Sequence, residues 1–377
     1  MKFFSIISEF NPFHTGHKYL IDQTKAKTGT DAIVCIMSGS MVQRGDVAIY
    51  DKWVRAEAAI KNGADLVIEL PVCYVLQSAE IFARGSVELA DMLGSQGIAF
   101  GSECTDSKLL WDLARLRAEE NDLYKNTIKD MLSSGMGYPR ACLEAAKAVL
   151  GDIPKEASGP NSTLAVAYMS AILKINPELK IHIEKRIGEY HDTSAKGEFA
   201  SATAIRQKIL EGDKTCQYSL CTSDDIYDIN NISSFILGFL RSADPCKLSA
   251  IAGMEEGLAQ RITECSKRST SLDELTRLCV TKRYTLHRIR RVILCSVLGI
   301  TDAPSPSYAR VLALNSKGAK ILKEAKKRGK LEIISKVADA SKRCSDMLSQ
   351  DILATDIAAL CAEKKASMDY TNSPIIM

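Results

Sequence analysis

Apolar residues along the first hundred positions fall into short unbroken runs separated by longer stretches of helical periodicity. Phe3-Phe4-Ser5-Ile6-Ile7 is the first run, and an apolar-periodic stretch beginning Lys18-Tyr19-Leu20-Ile21 follows it. Ala32-Ile33-Val34-Cys35-Ile36-Met37 is apolar throughout, the pattern of a parallel strand covered on both faces. A helix is predicted from about Lys52, with Trp53, Ala56, Ala59 and Ile60 on one face and Asn62-Gly63 closing it. Asp65 to Pro71 reads as a strand, Ser78 to Leu93 as a helix, and Gly97-Ile98-Ala99-Phe100-Gly101 as a fourth short strand. This alternation predicts an α/β fold, a Rossmann-like sheet with ligands at the carboxyl ends of its strands. His14, Ser38-Gly39-Ser40 and Gly101 fall just after strand ends and can line one crevice.

Helices dominate from Ser107 to Leu150. Gly159-Pro160-Asn161-Ser162-Thr163 stops one segment and caps another, with Leu164, Ala167, Tyr168, Ala171 and Ile172 at helical spacing. Lys180 to Ile187 reads as a strand and Ser201 to about Leu210 as a helix. From Ser233 onwards the pattern is helical, as in Phe235 to Arg241, Ser249 to Cys265, Ser271 to Cys279, Arg288 to Leu298 and Asp351 to Lys364. Nothing there repeats the β-rich pattern. A soft boundary near Gly212 to Ser223 divides the chain into a Rossmann-like domain, 1–215, and a mostly α-helical domain, 216–377. No long Gly/Ser linker separates them, so they are expected to pack.

Composition narrows the class. A chain of 377 residues exceeds one ordinary core, and a charged fraction of 25% suits a soluble globular protein. No apolar run approaches the roughly 20 residues that span a bilayer. The apolar part of the N-terminus is too short for a signal peptide. A cytoplasmic protein with no membrane contact is therefore expected. The 12 cysteines are scattered and form no CxxC pair, and Cys216 and Cys221 lack a neighbouring histidine. Reduced thiols and no protein metal site follow.

The candidate chemistry begins at Glu9-Phe10-Asn11-Pro12-Phe13-His14-Thr15-Gly16-His17, between the first strand and the first helix. A Gly-containing turn lets the backbone approach a ligand, and a helix start leaves N–H groups aimed at it. Such a site favours an anion, most often a phosphate. His14 and His17 could donate hydrogen bonds to its oxygens. An isolated HxGH is more often incidental, but this placement reads as a nucleotide site. Ser201-Ala202-Thr203-Ala204-Ile205-Arg206 puts two hydroxyls ahead of an arginine one turn on; alone it is ordinary capping.

Charge is unevenly distributed. Between Lys282 and Lys330 thirteen basic residues face only Asp302 and Glu324. Lys323 to Lys330 is the kind of run that usually forms a solvated helix face. Lys282, Arg283, Arg288, Arg290 and Arg291, with Tyr284 and His287 interleaved, suit phosphate contacts and base stacking. They are read as a polyanion-binding surface.

The HxGH turn resembles the signature of the nucleotidyltransferase superfamily that attacks the α-phosphate of nucleoside triphosphates, and Ser201 to Arg206 resembles its later Ser-x-Thr-x-x-Arg element. Further segments are similar to bacterial tRNA(Met) cytidine acetate ligases. They are Ile7 to Leu20, Met41 to Asp46, Asp51-Lys52 with Arg55-Ala56, Gly63 to Pro71, Gln77 to Glu80 and Phe100 to Glu103. Pro160-Asn161, Lys185-Arg186-Ile187, Tyr190-His191-Asp192 and Thr281 to Thr285 continue the likeness, which thins after about Ala313.

The resemblance implies a two-step ligase. Acetate is adenylylated by ATP, which normally arrives with Mg²⁺, and pyrophosphate leaves. The N4 amine of the wobble cytidine of elongator tRNA(Met) then attacks the acetyl-adenylate. By resemblance, Ile7-Ser8-Glu9-Phe10-Asn11-Pro12-Phe13-His14-Thr15-Gly16-His17-Lys18-Tyr19-Leu20 binds ATP, with His14 and His17 as the catalytic pair near the α- and β-phosphates. Gly101, Asn161, Arg186 and Ile187 contact the nucleoside, and Arg206, with Ser201 and Thr203, the triphosphate. Lys282, Arg283, Arg288, Arg290 and Arg291 position the tRNA backbone. Tyr190, Tyr284 and Tyr308 are candidate platforms for the cytosine. His191 and Asp192 either deprotonate the amine or fix a loop. Two other readings stay open: a small-molecule adenylyltransferase of the same superfamily, and an RNA-binding protein whose nucleotide fold has lost catalysis.

Overall fold

The computed structural model describes residues 1–186, 201–213 and 218–377. Ten strands are found among them: β1 (Phe3–Ser8), β2 (Ala32–Ser38), β3 (Met41–Val42), β4 (Asp46–Val47), β5 (Leu66–Leu70), β6 (Gly97–Ser102), β7 (Lys180–Lys185), β8 (Tyr308–Leu314), β9 (Glu332–Ile334) and β10 (Ile375–Ile376). Eight form one sheet in the order β10-β8-β5-β2-β1-β6-β7, with β9 also paired to β8; β3 and β4 make a separate hairpin. β1 runs parallel to both neighbours, β2 and β6. The chain winds from β1 through β2 to β5 on one side and through β6 to β7 on the other. The carboxyl end of β1 is thus the point where the winding reverses, where an α/β sheet opens a crevice.

The continuous apolar runs bury both faces. Every residue of β2 is buried. Its Val34 and Ile36 join one core with Phe3, Leu66, Ile68 and Ile98, while Ile33, Cys35 and Met37 join the other with Phe4, Ile6 and Ala99. The helices expected in the first half form at Thr15–Thr28, Lys52–Lys61 and Ala79–Leu93. Between β6 and β7 the chain makes a helical excursion, Ser107–Glu119, Asp122–Ser133 and Tyr138–Leu150, before returning through Pro160–Ile175. None of the helices described is long and apolar enough to cross a membrane.

The second half departs from the helical expectation. Ser233–Ser242, Leu258–Lys267, Leu272–Cys279 and Leu286–Leu298 are helices, but the chain then re-enters the sheet through β8, which pairs antiparallel with β5. The boundary expected at 215/216 falls within 214–217, outside the described residues, and the segment beyond it contributes three strands to the sheet of the first half. β8 was hidden by the charge of Arg310 within an apolar run. That charge is buried and compensated: Arg310 Nε lies 3.4 Å from Glu69 Oε2, and its Nη2 lies 2.8 Å from Asp369 Oδ1. Lys52 Nζ completes the cluster, 2.8 Å from both Glu69 Oε1 and Asp369 Oδ1 and 3.1 Å from Thr355 Oγ1. Gly39 is required beside it, since a Cβ there would stand 2.1 Å from Glu69 Oε1.

Removing one partner of a buried ion cluster leaves its neighbours charged and unsolvated, at a cost of about 3–5 kcal/mol. Lys52→Met is expected to lower unfolding stability by about that amount in urea. A loss below about 1 kcal/mol would show that the cluster does not tie β8 and the C-terminus to the sheet.

Candidate active site

β1 ends at Ser8, and the loop after it is held from beneath and from the side. Phe10 and Phe13 are buried and meet edge-to-face at 4.7 Å; Phe10 also packs on His17 at 4.9 Å. The buried guanidinium of Arg55 gathers the carbonyls of this crevice: Nη1 donates to Glu9 O at 2.6 Å and Ser38 O at 3.1 Å, Nη2 to Gly39 O, and Nε to Tyr50 O at 3.0 Å. Asn11 Oδ1 accepts from the Ile49 amide at 2.8 Å.

The helix Thr15–Thr28 is capped by the two histidines. The Gly16 amide donates to His14 Nδ1 at 3.1 Å, and the His14 amide donates to His17 Nδ1 at 3.3 Å. The rings stack with centroids 3.8 Å apart. An imidazole nitrogen that accepts a backbone N–H carries no proton, so each neutral ring bears its hydrogen on Nε2. Burial, then Arg186 and Arg206, lower the pKa of His14 to about 3. Burial, then His14 and Arg186, hold His17 well below the ordinary imidazole range. The site therefore presents two uncharged N–H donors.

Distant segments converge here. Ser201 Oγ caps Ala202–Leu210 by accepting from the Ala204 amide at 3.1 Å. Arg206 Nη1 donates to Asn11 O at 2.7 Å, and its Nη2 to Thr203 Oγ1 at 3.1 Å. Arg186 Nη1 donates to Asn161 Oδ1 at 3.3 Å, and Asn161 Nδ2 donates to Glu103 Oε1 at 2.6 Å. The Glu103 carboxylate also accepts from the Ser162 amide at 2.8 Å. Burial opposes its charge, but the hydrogen bonds from Asn161, Ser162 and its own backbone win and lower its pKa. Asn161 is thus an orienting link between Glu103 and Arg186, more than a helix cap.

One cavity of about 1490 Å³ opens among these segments. Ile7, Ser8, Glu9, Phe10, Asn11, His14, Gly16, His17, Tyr19, Leu20, Gly101, Asn161, Arg186, Ser201, Thr203 and Arg206 all contribute to its wall. Pro12, Phe13, Thr15 and Lys18 do not line it. Phe13 is fully buried, and Lys18, one residue beyond His17, points outward to Asp22 at 2.6 Å. Ile187, Tyr190, His191 and Asp192 lie outside the described residues.

The basic segment reaches the same cavity in part. Arg283, Arg288 and Arg291 line it; Lys282 is exposed and does not, and neither does Arg290. Arg290 is clamped between Asp46, at 3.1 Å, and Asp273, so it struts the hairpin against helix Leu286–Leu298 instead of facing a phosphate. Tyr284 is buried under Arg288, and Tyr308 is buried with its hydroxyl donating to Asp351, so neither can serve as a platform.

Pattern reading missed the β3–β4 hairpin. Gly45, at φ +75°, presses on Leu286–Leu298 so closely that a Cβ would lie 2.5 Å from the Arg291 amide nitrogen. Arg291 Nη1 donates to Gln43 O at 3.2 Å, His287 Nδ1 to Arg44 O at 3.2 Å, and the Gln43 amide to Glu9 Oε1 at 2.7 Å. The hairpin thus joins the basic helix to the histidine loop. It also brings Arg44 to the cavity, where its charge, after burial, lowers the pKa values of Arg186 and Arg206. Convergent guanidinium groups around two neutral donors make an anion site.

A family model described as HIGH Nucleotidyl Transferase matches residues 1–373. The tRNA(Met) cytidine acetate ligase of Acetivibrio thermocellus is 34% identical, with 100% of each chain covered. The chain belongs to the tRNA(Met) cytidine acetate ligase family. Crystal structures of Thermotoga maritima TmcAL extend the likeness to three dimensions over 100% of both chains. The apo form gives a TM-score of 0.91 at 29% identity, and the form bound with alpha-thio ATP gives 0.89 at 28%. The family match runs through β8 and β9 of the second half as well as the histidine loop.

The depressed histidine has a consequence for stability. Unfolded, His14 takes up a proton near 6.5; folded, near 3. In that window the unfolded chain binds more protons, so stability is complete above pH 6.5 and falls as pH drops, by about 1.4 kcal/mol per pH unit for one group. His14→Asn keeps a cap acceptor and is expected to lose stability more slowly with acid. Equal acid slopes in urea unfolding would contradict a histidine held neutral.

Proposed function

We propose that this protein is an ATP-dependent acetate ligase that acetylates N4 of the wobble cytidine of elongator tRNA(Met). The observation that carries the reading is the single cavity in which His14, His17, Arg44, Arg186 and Arg206 meet Arg283, Arg288 and Arg291. A polyanionic small ligand and a nucleic acid are served by one continuous space. The names of the relatives, and the ATP analogue in the Thermotoga maritima structure, support the same assignment.

In the first step an acetate oxygen attacks the α-phosphorus of ATP and the bond to pyrophosphate breaks, giving acetyl-adenylate. ATP enters with Mg²⁺. The Nε2–H groups of His14 and His17 donate to the phosphate oxygens, and because the rings are neutral they take no proton from solvent in doing so. Arg206, with Ser201 and Thr203, and Arg44 receive the outer phosphates. Arg186, oriented through Asn161 and Glu103, and Gly101 border the nucleoside. Donors fixed before the reaction stabilise charge as it develops, without reorganisation at the moment of transfer. In the second step the cytidine N4 attacks the acyl carbon, AMP leaves, and the amine gives up a proton. Lys282, Arg283, Arg288 and Arg291 hold RNA phosphates, which position the tRNA without reading its sequence. The proposed setting is the cytoplasm.

Without tRNA, the protein is expected to exchange labelled pyrophosphate into ATP only when acetate is present. His14→Ala should slow that exchange by about a hundredfold or more, the usual effect of losing one such donor. Exchange that needs a phosphorylated acceptor in place of acetate, or that survives His14→Ala unchanged, would overturn the assignment.

A further inference from the structure

The cavity is larger than a nucleotide and an acetate need. Small-ligand sites enclose about 300–1000 Å³, whereas this one reaches about 1490 Å³ and runs on to the helical excursion between β6 and β7. Helix Asp122–Ser133 shows it a single face, made of Lys125, Ile128, Lys129, Leu132 and Ser133 at spacings of three and four residues. The acids of that helix, Asp122 and Asp130, do not line the cavity. Both lysines are exposed, and among the described residues the one ion pair either forms is a long one, Lys125 to Glu120 at 4.0 Å. Arg283 and Arg288, joined through Glu255, supply another wall of the same space. The excursion and the basic segment touch where a Cβ on Gly137 would stand 3.2 Å from Lys282 O. Beside that contact Tyr138 opens the next helix, lining the cavity with 46% of its surface exposed.

Cations on two walls with an aromatic ring between them form the pattern that holds single-stranded nucleic acid, phosphates on the charges and bases on the ring. A rigid duplex cannot enter such a cleft, whereas a loop with unstacked bases can. We infer that helix Asp122–Ser133 and Tyr138 are the second wall of an RNA cleft, with Lys125 and Lys129 on backbone phosphates of a single-stranded tRNA loop and Tyr138 under one of its bases. The inference rests on the tRNA reading proposed above and extends it to a part of the fold remote in sequence from the basic helix.

The test is direct binding of an elongator tRNA(Met) transcript to the full-length protein over a series of salt concentrations. Each phosphate contact to a single strand contributes about 0.7 to the slope of log affinity against log salt. The double variant Lys125→Ala with Lys129→Ala should bind with a slope shallower by about 1.4. A control pair of exposed lysines that do not line the cavity, Lys323→Ala with Lys326→Ala, should keep the wild-type slope. Tyr138→Ala should weaken binding at least about fivefold, and Tyr138→Phe should restore it, since stacking needs the ring and not the hydroxyl. A wild-type slope in the Lys125/Lys129 variant, or an equal fall in the control, overturns the second wall. Failure of the unaltered protein to bind the transcript overturns the tRNA reading itself.

Discussion

The first helix begins with a backbone that must find acceptors for its N–H groups, and here the acceptors are the imidazoles of the candidate site. Gly16 donates to His14 and the His14 amide donates to His17, so both Nδ1 atoms are committed before any ligand arrives. That commitment places the proton of each neutral ring on Nε2. It also keeps the rings stacked and buried, which with the nearby arginines suppresses their protonation. Helix capping and donor chemistry are thus one set of hydrogen bonds. A residue that capped the helix without a ring would keep the fold of the loop and lose the donors.

The rest of the molecule holds that loop in register. Its position at the carboxyl end of β1 follows from a sheet that winds outward on both sides of that strand. Arg55 binds the carbonyls of the loop and of the turn after β2 from within, and Arg206 binds the Asn11 carbonyl from across the cavity. The charge cluster of Lys52, Glu69, Arg310 and Asp369 ties the returning C-terminal strands to the same sheet. The β3–β4 hairpin then couples Leu286–Leu298 to Glu9 through Gln43 and Arg291. Two hydrogen bonds thus separate the basic helix from the histidine loop.

Legibility in the sequence followed the range of the interactions. The strands of the first half were readable because a parallel strand buried on both faces is apolar throughout, as Ala32 to Met37 is. The histidine loop was readable because its elements are contiguous, and convergence with Ser201 to Arg206 came from resemblance to a known pair of motifs. β8 was not readable: Arg310 breaks its apolar run, and the partners that neutralise it are Glu69 and Asp369, far away in the chain. Arg290 misled for the same reason, since Asp46 lies 244 residues from it. The outward turn of Lys18 is a matter of helical phase and could have been read from its place next to His17. Arg44 lies in the segment Met41 to Asp46 that carries the resemblance, but its local pattern gives it no place in the cavity, since its reach there depends on Gly45 packing against a helix from the other half.

One cavity unites the two chemistries. That union is tested most directly by incubating the protein with ATP, labelled acetate and an elongator tRNA(Met) transcript, then digesting the RNA and analysing its nucleosides by mass. The expected product is N4-acetylcytidine that carries the label and requires both ATP and protein. Release of pyrophosphate with no acetylated nucleoside would contradict the union.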